Sequence, residues 1–210
     1  MDNEKQKELL KDIQMNMKQV FVILLFLSCS LTAHSQWGVK GGLSYSTITD
    51  MASTQYMPFG HLGVTYEKRM SNNWFLQPEL LFTAVGCDLE DDKITLKGGH
   101  INMYALELPV NFSFRPKVSE EINIIVDLGA YTRYGLFGNK TYRYYYDIPT
   151  VDGSPFDAFN RFDIGLNFGL GLQKNQYSGV FSLSRGFSHV QKNDAGTYHQ
   201  VFRLSFGYKF

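Results

Sequence analysis

The chain has 210 residues, enough for one domain, and its 20 basic and 20 acidic side chains give a formal net charge of zero. Without a basic excess it is poorly suited to neutralise a phosphate backbone, which argues against nucleic acid as a partner. The part downstream of residue 35 contains one cysteine, Cys87, which excludes an internal disulfide there.

An apolar run at residues 20 to 33 is the first recognisable element of the chain. Lys18 precedes the run, and small residues ending at Ser35 follow it, which is the order of a secretory signal peptide. The run is shorter than the roughly 20 residues that a bilayer-spanning helix needs. We therefore predict cleavage after Ser35.

This cleavage divides the chain into a signal peptide, residues 1–35, and one mature domain, residues 36–210. The charged segment before the apolar run is long for a signal peptide, so Met17 is an alternative initiator. Cys29 leaves a lipoprotein signal as the other interpretation, although Phe26 and the residues after it fit a lipobox poorly.

From Trp37 onward, apolar and polar residues alternate with a period of two, which predicts β-strands. The clearest segment is 104–115, where aromatic and aliphatic residues alternate with polar or small ones. The same rule, applied along the chain, predicts eight strands, at residues 37–47, 59–69, 74–86, 101–115, 122–134, 161–173, 177–188 and 198–210.

The connections between these predicted strands alternate in length. Those at 71–73, 116–121 and 174–176 are short, and those at 48–58, 87–100, 135–160 and 189–197 are long. Short turns at one end and long loops at the other are typical of outer-membrane barrels, with the short turns in the periplasm. We therefore predict an all-β fold, an eight-stranded antiparallel up-and-down transmembrane β-barrel that is exported to the outer membrane.

The alternative is a soluble β-sandwich or lipocalin-like barrel, which places its apolar face inside. Small residues such as Gly42, Gly169 and Ser184 fill the polar face, where a soluble surface would carry Lys, Glu and Thr. Small side chains fit a crowded lumen. Aromatic residues at both ends of the apolar face, among them Trp74 and Tyr104, predict two interfacial girdles and favour the membrane barrel.

Six short motifs occur in order along the chain: WGVKGGL at 37–43, LQPELL at 76–81, LELPV at 106–110, DLGAY at 127–131, FDIGL at 162–166 and GLG at 169–171. Together they resemble the strands of the PorT-like outer-membrane β-barrel family. The resemblance includes Pro78 and Pro109, which each remove a ladder donor and predict a bulge. It implies a barrel with both ends in the periplasm and a link to secretion, although the founding member's role does not transfer on these motifs.

Charged side chains also fall on the polar face of the predicted strands, and buried charges persist when they are paired. Counting residues up from the short-turn end places one arginine and three acids near mid-height. We predict a lumen ion network in which Arg203 is the central cation among Glu79, Glu107 and Asp127, with Lys40, Glu67 and Lys209 in a separate layer nearer the periplasm. The alternative is a proton or ion path.

Two aromatic segments predict partners. The longest loop contains Tyr142, Tyr144, Tyr145 and Tyr146. Tyrosine offers contact area at low entropic cost, so this loop is a candidate for recognition of an extracellular protein or glycan; the alternative is packing within the loop. The terminal Phe206, Tyr208 and Phe210 resemble the signal read by the barrel assembly machinery, which together with outer-membrane lipid is the other expected partner.

No nucleophile, metal or phosphate motif stands out in the sequence. The histidines lack ligand spacing, and the acidic segment 88–92 lacks the ligand order of an EF-hand loop. Ser188 and His189 form the only adjacent pair near a strand end that an outer-membrane lipid-modifying enzyme would use. We therefore expect a monomeric barrel that is no enzyme and has no cofactor or metal, with the lipid-modifying enzyme as the alternative.

Overall fold

The computed structural model describes residues 36–49, 54–91, 93–94, 96–145, 149–192 and 196–210, so the predicted signal peptide lies outside the described residues. Eight long strands are present: β1 (Trp37–Thr49), β2 (Met57–Tyr66), β3 (Trp74–Leu89), β4 (Leu96–Phe114), β5 (Ile122–Tyr144), β6 (Phe162–Lys174), β7 (Tyr177–Gly186) and β8 (Tyr198–Lys209). Shorter elements are the strands Thr54–Gln55, Lys68–Arg69 and Val151–Gly153 and the 3-10 helix Pro155–Asp157. No helix within these ranges has the length and apolar character needed to cross a bilayer.

The eight strands form a closed antiparallel ring. Each strand pairs with its neighbours in the chain, and β8 pairs back onto β1 from Gly38↔Lys209 to Thr49↔Tyr198. Closure removes the free sheet edges that these strands would otherwise expose. β1 begins and β8 ends at the short-turn end, and the predicted all-β, eight-stranded, up-and-down fold is confirmed.

The apolar side chains of the strands face outward. In β4, Leu108 and Phe112 are 49% and 56% exposed, whereas Glu107 and Asn111 are 1% and 2% exposed. A soluble sandwich would bury the apolar set and expose the polar one. The arrangement is therefore that of a barrel whose outer wall contacts lipid.

Aromatic rings mark both ends of this lipid-facing wall. Trp74 and Phe114 pack at the short-turn end with ring centroids 4.8 Å apart. At the other end Tyr104 stacks between Phe82 and Phe137, with centroids 6.2 and 5.0 Å away. The strand from Tyr104 to Phe114 spans about 33 Å, or about 25 Å along the barrel axis at a tilt of about 40°, which matches the apolar band of outer-membrane barrels.

Three strands run three or more residues further at the long-loop end than the sequence predicted. β3 continues to Leu89, β4 begins at Leu96 and β5 continues to Tyr144, so much of the predicted loops 87–100 and 135–160 is sheet. β4 and β5 remain paired as far as Leu96↔Tyr144, beyond Tyr134↔Phe162, the last paired position of β5 and β6 at this end. We call this projection, formed by residues 85–89, 96–103 and 135–144, the extension sheet.

The two strand prolines do not produce the predicted bulge. β3 and β4 keep one register on both sides of them, from Gln77↔Asn111 through Pro78↔Val110 to Leu81↔Glu107, with pairing interrupted in between. A missing N–H removes a ladder bond, but it does not require an extra residue. The register shift near the centre of β4 lies instead between Tyr104 and Ala105, on the β5 side.

Two long loops fold over the barrel at the long-loop end. The amide of Asn160 donates to Val190 O at 2.8 Å, and the amide of Lys192 donates to Ala158 O at 2.9 Å. Their apolar side chains pack on inward-facing strand residues in a buried group that we call the cap cluster: Ile48, Val85, Cys87, Leu89, Ile101, Met103, Phe156, Phe159, Val190 and Val201. The described residues of these two loops are therefore a packed part of the fold.

Candidate functional site

Four buried charged residues lie in the lumen below the cap cluster and form what we call the upper cluster. Arg133 donates from Nε to Glu107 Oε2 at 2.8 Å and from Nη1 to Asp163 Oδ2 at 2.9 Å. Arg203 Nη2 donates to the same Glu107 oxygen at 2.7 Å. Arg133 is the cross-strand partner of both Glu107 and Asp163, so three adjacent strands place these side chains together.

Hydroxyl groups add hydrogen bonds to the upper cluster. Tyr131 donates to Asp163 Oδ2 at 2.9 Å, and Ser188 donates to Asp163 Oδ1 at 2.6 Å. Arg203 Nη1 donates to Ser184 Oγ at 2.7 Å. Two arginines and two carboxylates balance in charge, which is the arrangement that makes buried ions tolerable.

A middle cluster surrounds Glu79. Lys40 Nζ contacts the two carboxylate oxygens of Glu79 at 2.9 and 3.0 Å, and the amides of Gln77 and Asn111 donate to Oε1 at 2.9 and 3.2 Å. Asp127 is buried nearby and lines two small cavities, of about 30 and 20 Å³, that Lys40 also lines. Each cavity has room for about one water molecule.

A lower cluster lies at the short-turn end. Glu67 pairs with both Arg115 and Lys209, and Arg115 also bonds to Gln77 and, at 3.2 Å, to Gln173. Glu67 itself lies between β2 and the following short strand. Burial alone would raise the pKa of Glu67, but the positive charges of Arg115 and Lys209 outweigh burial and lower that pKa below its ordinary value.

The lumen is therefore arranged differently from the sequence prediction. All seven predicted residues lie inside the barrel, but Arg203 is not a central cation among three acids, because among the described residues it forms an ion pair with Glu107 and not with Glu79 or Asp127. Glu79 pairs with Lys40, which separates Lys40 from the Glu67 and Lys209 layer. The bridging cation of the upper cluster is Arg133, which the prediction missed. The detectable signal was its cross-strand position beside Glu107.

The hydroxyl of Ser188 and Nδ1 of His189 are each hydrogen-bonded to groups other than one another. The Ser188 hydroxyl is bound to Asp163 and accepts from the amide of Ile164 at 3.1 Å. His189 Nδ1 accepts from the amide of Gly196 at 3.2 Å. In the part of the chain that the structure describes, no group of three or more His, Cys, Asp and Glu side chains is placed to hold a metal ion.

The predicted recognition tyrosines have different environments. Tyr142 packs against the cap cluster, as the packing alternative expects. The hydroxyl of Tyr145 donates to Asp91, and Tyr144 is the last residue of β5. Tyr146 lies outside the described residues.

The three terminal aromatic residues face outward at the short-turn end. Phe206 and Phe210 are 66% and 53% exposed. Tyr208 packs between the rings of Tyr177 and Phe210, with centroids 5.2 and 5.6 Å away. Their side chains thus lie on the lipid-facing wall, where a lipid or an assembly factor could contact them.

A closed eight-stranded ring with an apolar outer wall, two aromatic girdles and a lumen of paired charges defines an integral outer-membrane β-barrel. Residues 27–190 match the family described as outer membrane protein beta-barrel domain, and the chain belongs to this family. It is therefore an outer-membrane protein. None of the curated proteins matches the sequence.

The chain is also similar to several solved structures. Neisserial surface protein A has a TM-score of 0.50 and 11% identity, with 83% of this chain and 97% of that chain covered, and this likeness shows the fold. Ail of Yersinia pestis has a TM-score of 0.44 and 17% identity, covering 84% of this chain and 99% of that one. OprG of Pseudomonas aeruginosa has a TM-score of 0.41 and 13% identity, covering 84% and 96%.

Proposed function

We propose that this barrel acts through recognition at its long-loop end, where the extension sheet projects beyond the membrane. The observation that carries the proposal is the length of β5, which continues for ten residues beyond Tyr134, its last partner position with β6, to Tyr144. At about 3.3 Å per residue this is about 33 Å of strand. A barrel that only stabilised the membrane would not need this projection.

The two faces of the extension sheet differ. The inner face packs on the cap cluster, so the sheet is held in one position before any partner arrives. On β5, Asn139, Thr141 and Arg143 share the outward face with the exposed Phe137, and Thr141 donates to Asp152 at 2.7 Å. Amide, hydroxyl and guanidinium groups on a rigid sheet suit a glycan or a polar protein surface, because pre-organisation lowers the entropic cost of binding.

A photo-crosslinking amino acid placed at Asn139 or Arg143 tests the proposal in intact cells. We expect a discrete adduct from both positions and no such adduct from Leu108, which lies on the lipid face. Binding of the purified barrel to a glycan array, compared with an Asn139→Ala/Arg143→Ala variant, tests for a sugar partner. Identical adduct patterns at all three positions, together with no variant-sensitive glycan binding, would contradict recognition by this surface.

We also propose, on the resemblance to PorT-like barrels, that the recognition serves secretion. The motifs at 76–81 and 106–110 carry the resemblance but do not by themselves transfer the role, so a direct test is needed. Deletion of the gene should change the set of proteins in the culture supernatant, and expression of the Asn139→Ala/Arg143→Ala variant should not restore it. An unchanged supernatant in the deletion strain would reject the secretion link while leaving recognition open to the crosslinking test.

A further inference from the structure

A concave surface lies at the short-turn end of the barrel, at the opposite end from the extension sheet. A cavity of about 130 Å³ opens there between the short turns, and we call it the mouth cavity. The side chains that matter for its chemistry are Arg69, Asn73, Arg115, Lys117, Asn123 and Lys209. It is several times larger than either cavity of the inner lumen.

The mouth cavity has an excess of positive charge. Four cationic side chains line it, and Glu67 is the one carboxylate that lines it with them. Glu67 pairs with Arg115 and Lys209, so four cations against one carboxylate leave three positive charges. Among the described residues, Arg69 and Lys117 have no acidic partner within ion-pair distance.

The cations are held in place by the fold. The Arg69 side chain donates to the backbone carbonyls of Ser71 and Asn72 at 3.4 and 3.0 Å. The guanidinium groups of Arg69 and Arg115 lie 5.9 and 4.9 Å from the centre of the Phe75 ring. These contacts fix both groups beside the cavity before a ligand enters, which lowers the entropic cost of binding.

We propose that the mouth cavity binds a small dianion, a phosphate monoester or a dicarboxylate carried by a periplasmic molecule. Arg and Lys side chains donate hydrogen bonds and accept none, and the amides of Asn73 and Asn123 add donors. Arginine pairs with carboxylate and phosphate oxygens through charge-assisted bonds. Three unbalanced positive charges favour a dianion over a monoanion. The site gives the barrel a periplasmic contact in addition to its extracellular one.

Isothermal titration of the barrel, purified from outer membranes in non-ionic detergent, tests this proposal with inorganic phosphate and with succinate as separate ligands. Lys117→Gln should weaken binding by about tenfold, equivalent to about 1.4 kcal/mol. The matched control is Lys174→Gln, because Lys174 is an exposed lysine that pairs with Glu121 at 3.2 Å and does not line the cavity. The control should bind as wild type does.

Saturable binding of either dianion with this variant pattern supports the site, and the tighter ligand identifies its class as phosphate or dicarboxylate. Absence of saturable binding by wild type overturns the proposal. Equal weakening by Lys117→Gln and Lys174→Gln also overturns it, because the effect would then belong to the general charge of the rim. Both lysines are exposed, so neither substitution should prevent folding.

Discussion

Replacement of Arg133 by leucine should destabilise the barrel more than loss of Arg203, although sequence reasoning gave Arg203 the central place. Arg133 is 3% exposed and bonds to both Glu107 and Asp163, at 2.8 and 2.9 Å. Its removal leaves Asp163 with hydroxyl partners and Glu107 with one arginine. Breaking a buried pair by removing one partner costs about 3–5 kcal/mol, and we expect Arg133→Leu to lie in this range.

Arg203→Leu should lower the free energy of unfolding by less, about 3 kcal/mol or below, because Glu107 keeps its bond to Arg133. In the Arg133→Leu background, Asp163→Asn should recover part of the lost stability, since Asp163 is the carboxylate left without a cation, whereas Glu107 keeps its pair with Arg203. The recovery would show that the cost comes from unbalanced charge rather than from the lost volume of the arginine side chain.

Urea unfolding of the purified, refolded barrel measures these differences. Trp37 and Trp74 both lie at the short-turn end of the barrel wall, so their fluorescence reports loss of the membrane-facing surface. Lys174→Gln serves as the control, because an exposed ion pair contributes about 0–1 kcal/mol. If Arg133→Leu unfolded at the wild-type urea concentration, the account of the upper cluster would have to be abandoned.

Three further predictions concern other parts of the barrel. The pKa of Glu67 is held below its ordinary value, chiefly by Arg115 against the opposing effect of burial. The stability that Glu67 contributes is therefore present above its unfolded-state pKa and is lost as the pH falls through the lowered folded-state pKa. Glu67→Gln should therefore reduce the fall in the urea midpoint between about pH 5 and pH 3. Ser46 Oγ bonds both the amide and the carbonyl of Gly86 at 3.0 Å, so Ser46→Ala should lower the free energy of unfolding by about 1–3 kcal/mol, and an unchanged urea midpoint would refute this role. Deletion of Phe210 should reduce the amount of folded, heat-modifiable protein in outer membranes, and wild-type amounts would reject a terminal assembly signal.

The strands and their faces could be predicted because side chains of a strand point alternately to its two faces, so the apolar residues of one face recur every two positions. That rule identified the outward set of β4, such as Leu108 and Phe112, and the inward set, such as Glu107. It failed in the extension sheet, where a register shift beside Tyr104 interrupts the alternation and the Tyr-rich end of β5 resembles a loop. The cap cluster could not be predicted, because Phe156 and Val190 meet through long-range packing with no period in the sequence.

The heights of lumen residues could be predicted only poorly. Counting from the short-turn end assumes that strands begin level, but barrel strands are tilted and staggered by the shear. For example, Glu79 pairs with Thr65, Thr65 pairs with Gly38, and Gly38 pairs with Lys209. Glu79 and Lys209 therefore belong to one row of cross-strand partners, although Glu79 is five residues from its strand end and Lys209 is the last residue of β8. Cross-strand pairing, rather than distance from an end, brings Arg133 beside its two carboxylates.

The most direct test of the central claim is the position of the extension sheet relative to the membrane. A cysteine at Gly153, on the short strand that pairs with β5, should react with a membrane-impermeant maleimide on intact cells. A cysteine at Asn73, in a short turn at the other end, should react only after the outer membrane is permeabilised. The native Cys87 is buried and should give little background. Labelling of both engineered cysteines on intact cells, or of Asn73→Cys alone, would contradict an outer-membrane barrel that presents its extension sheet outside the cell.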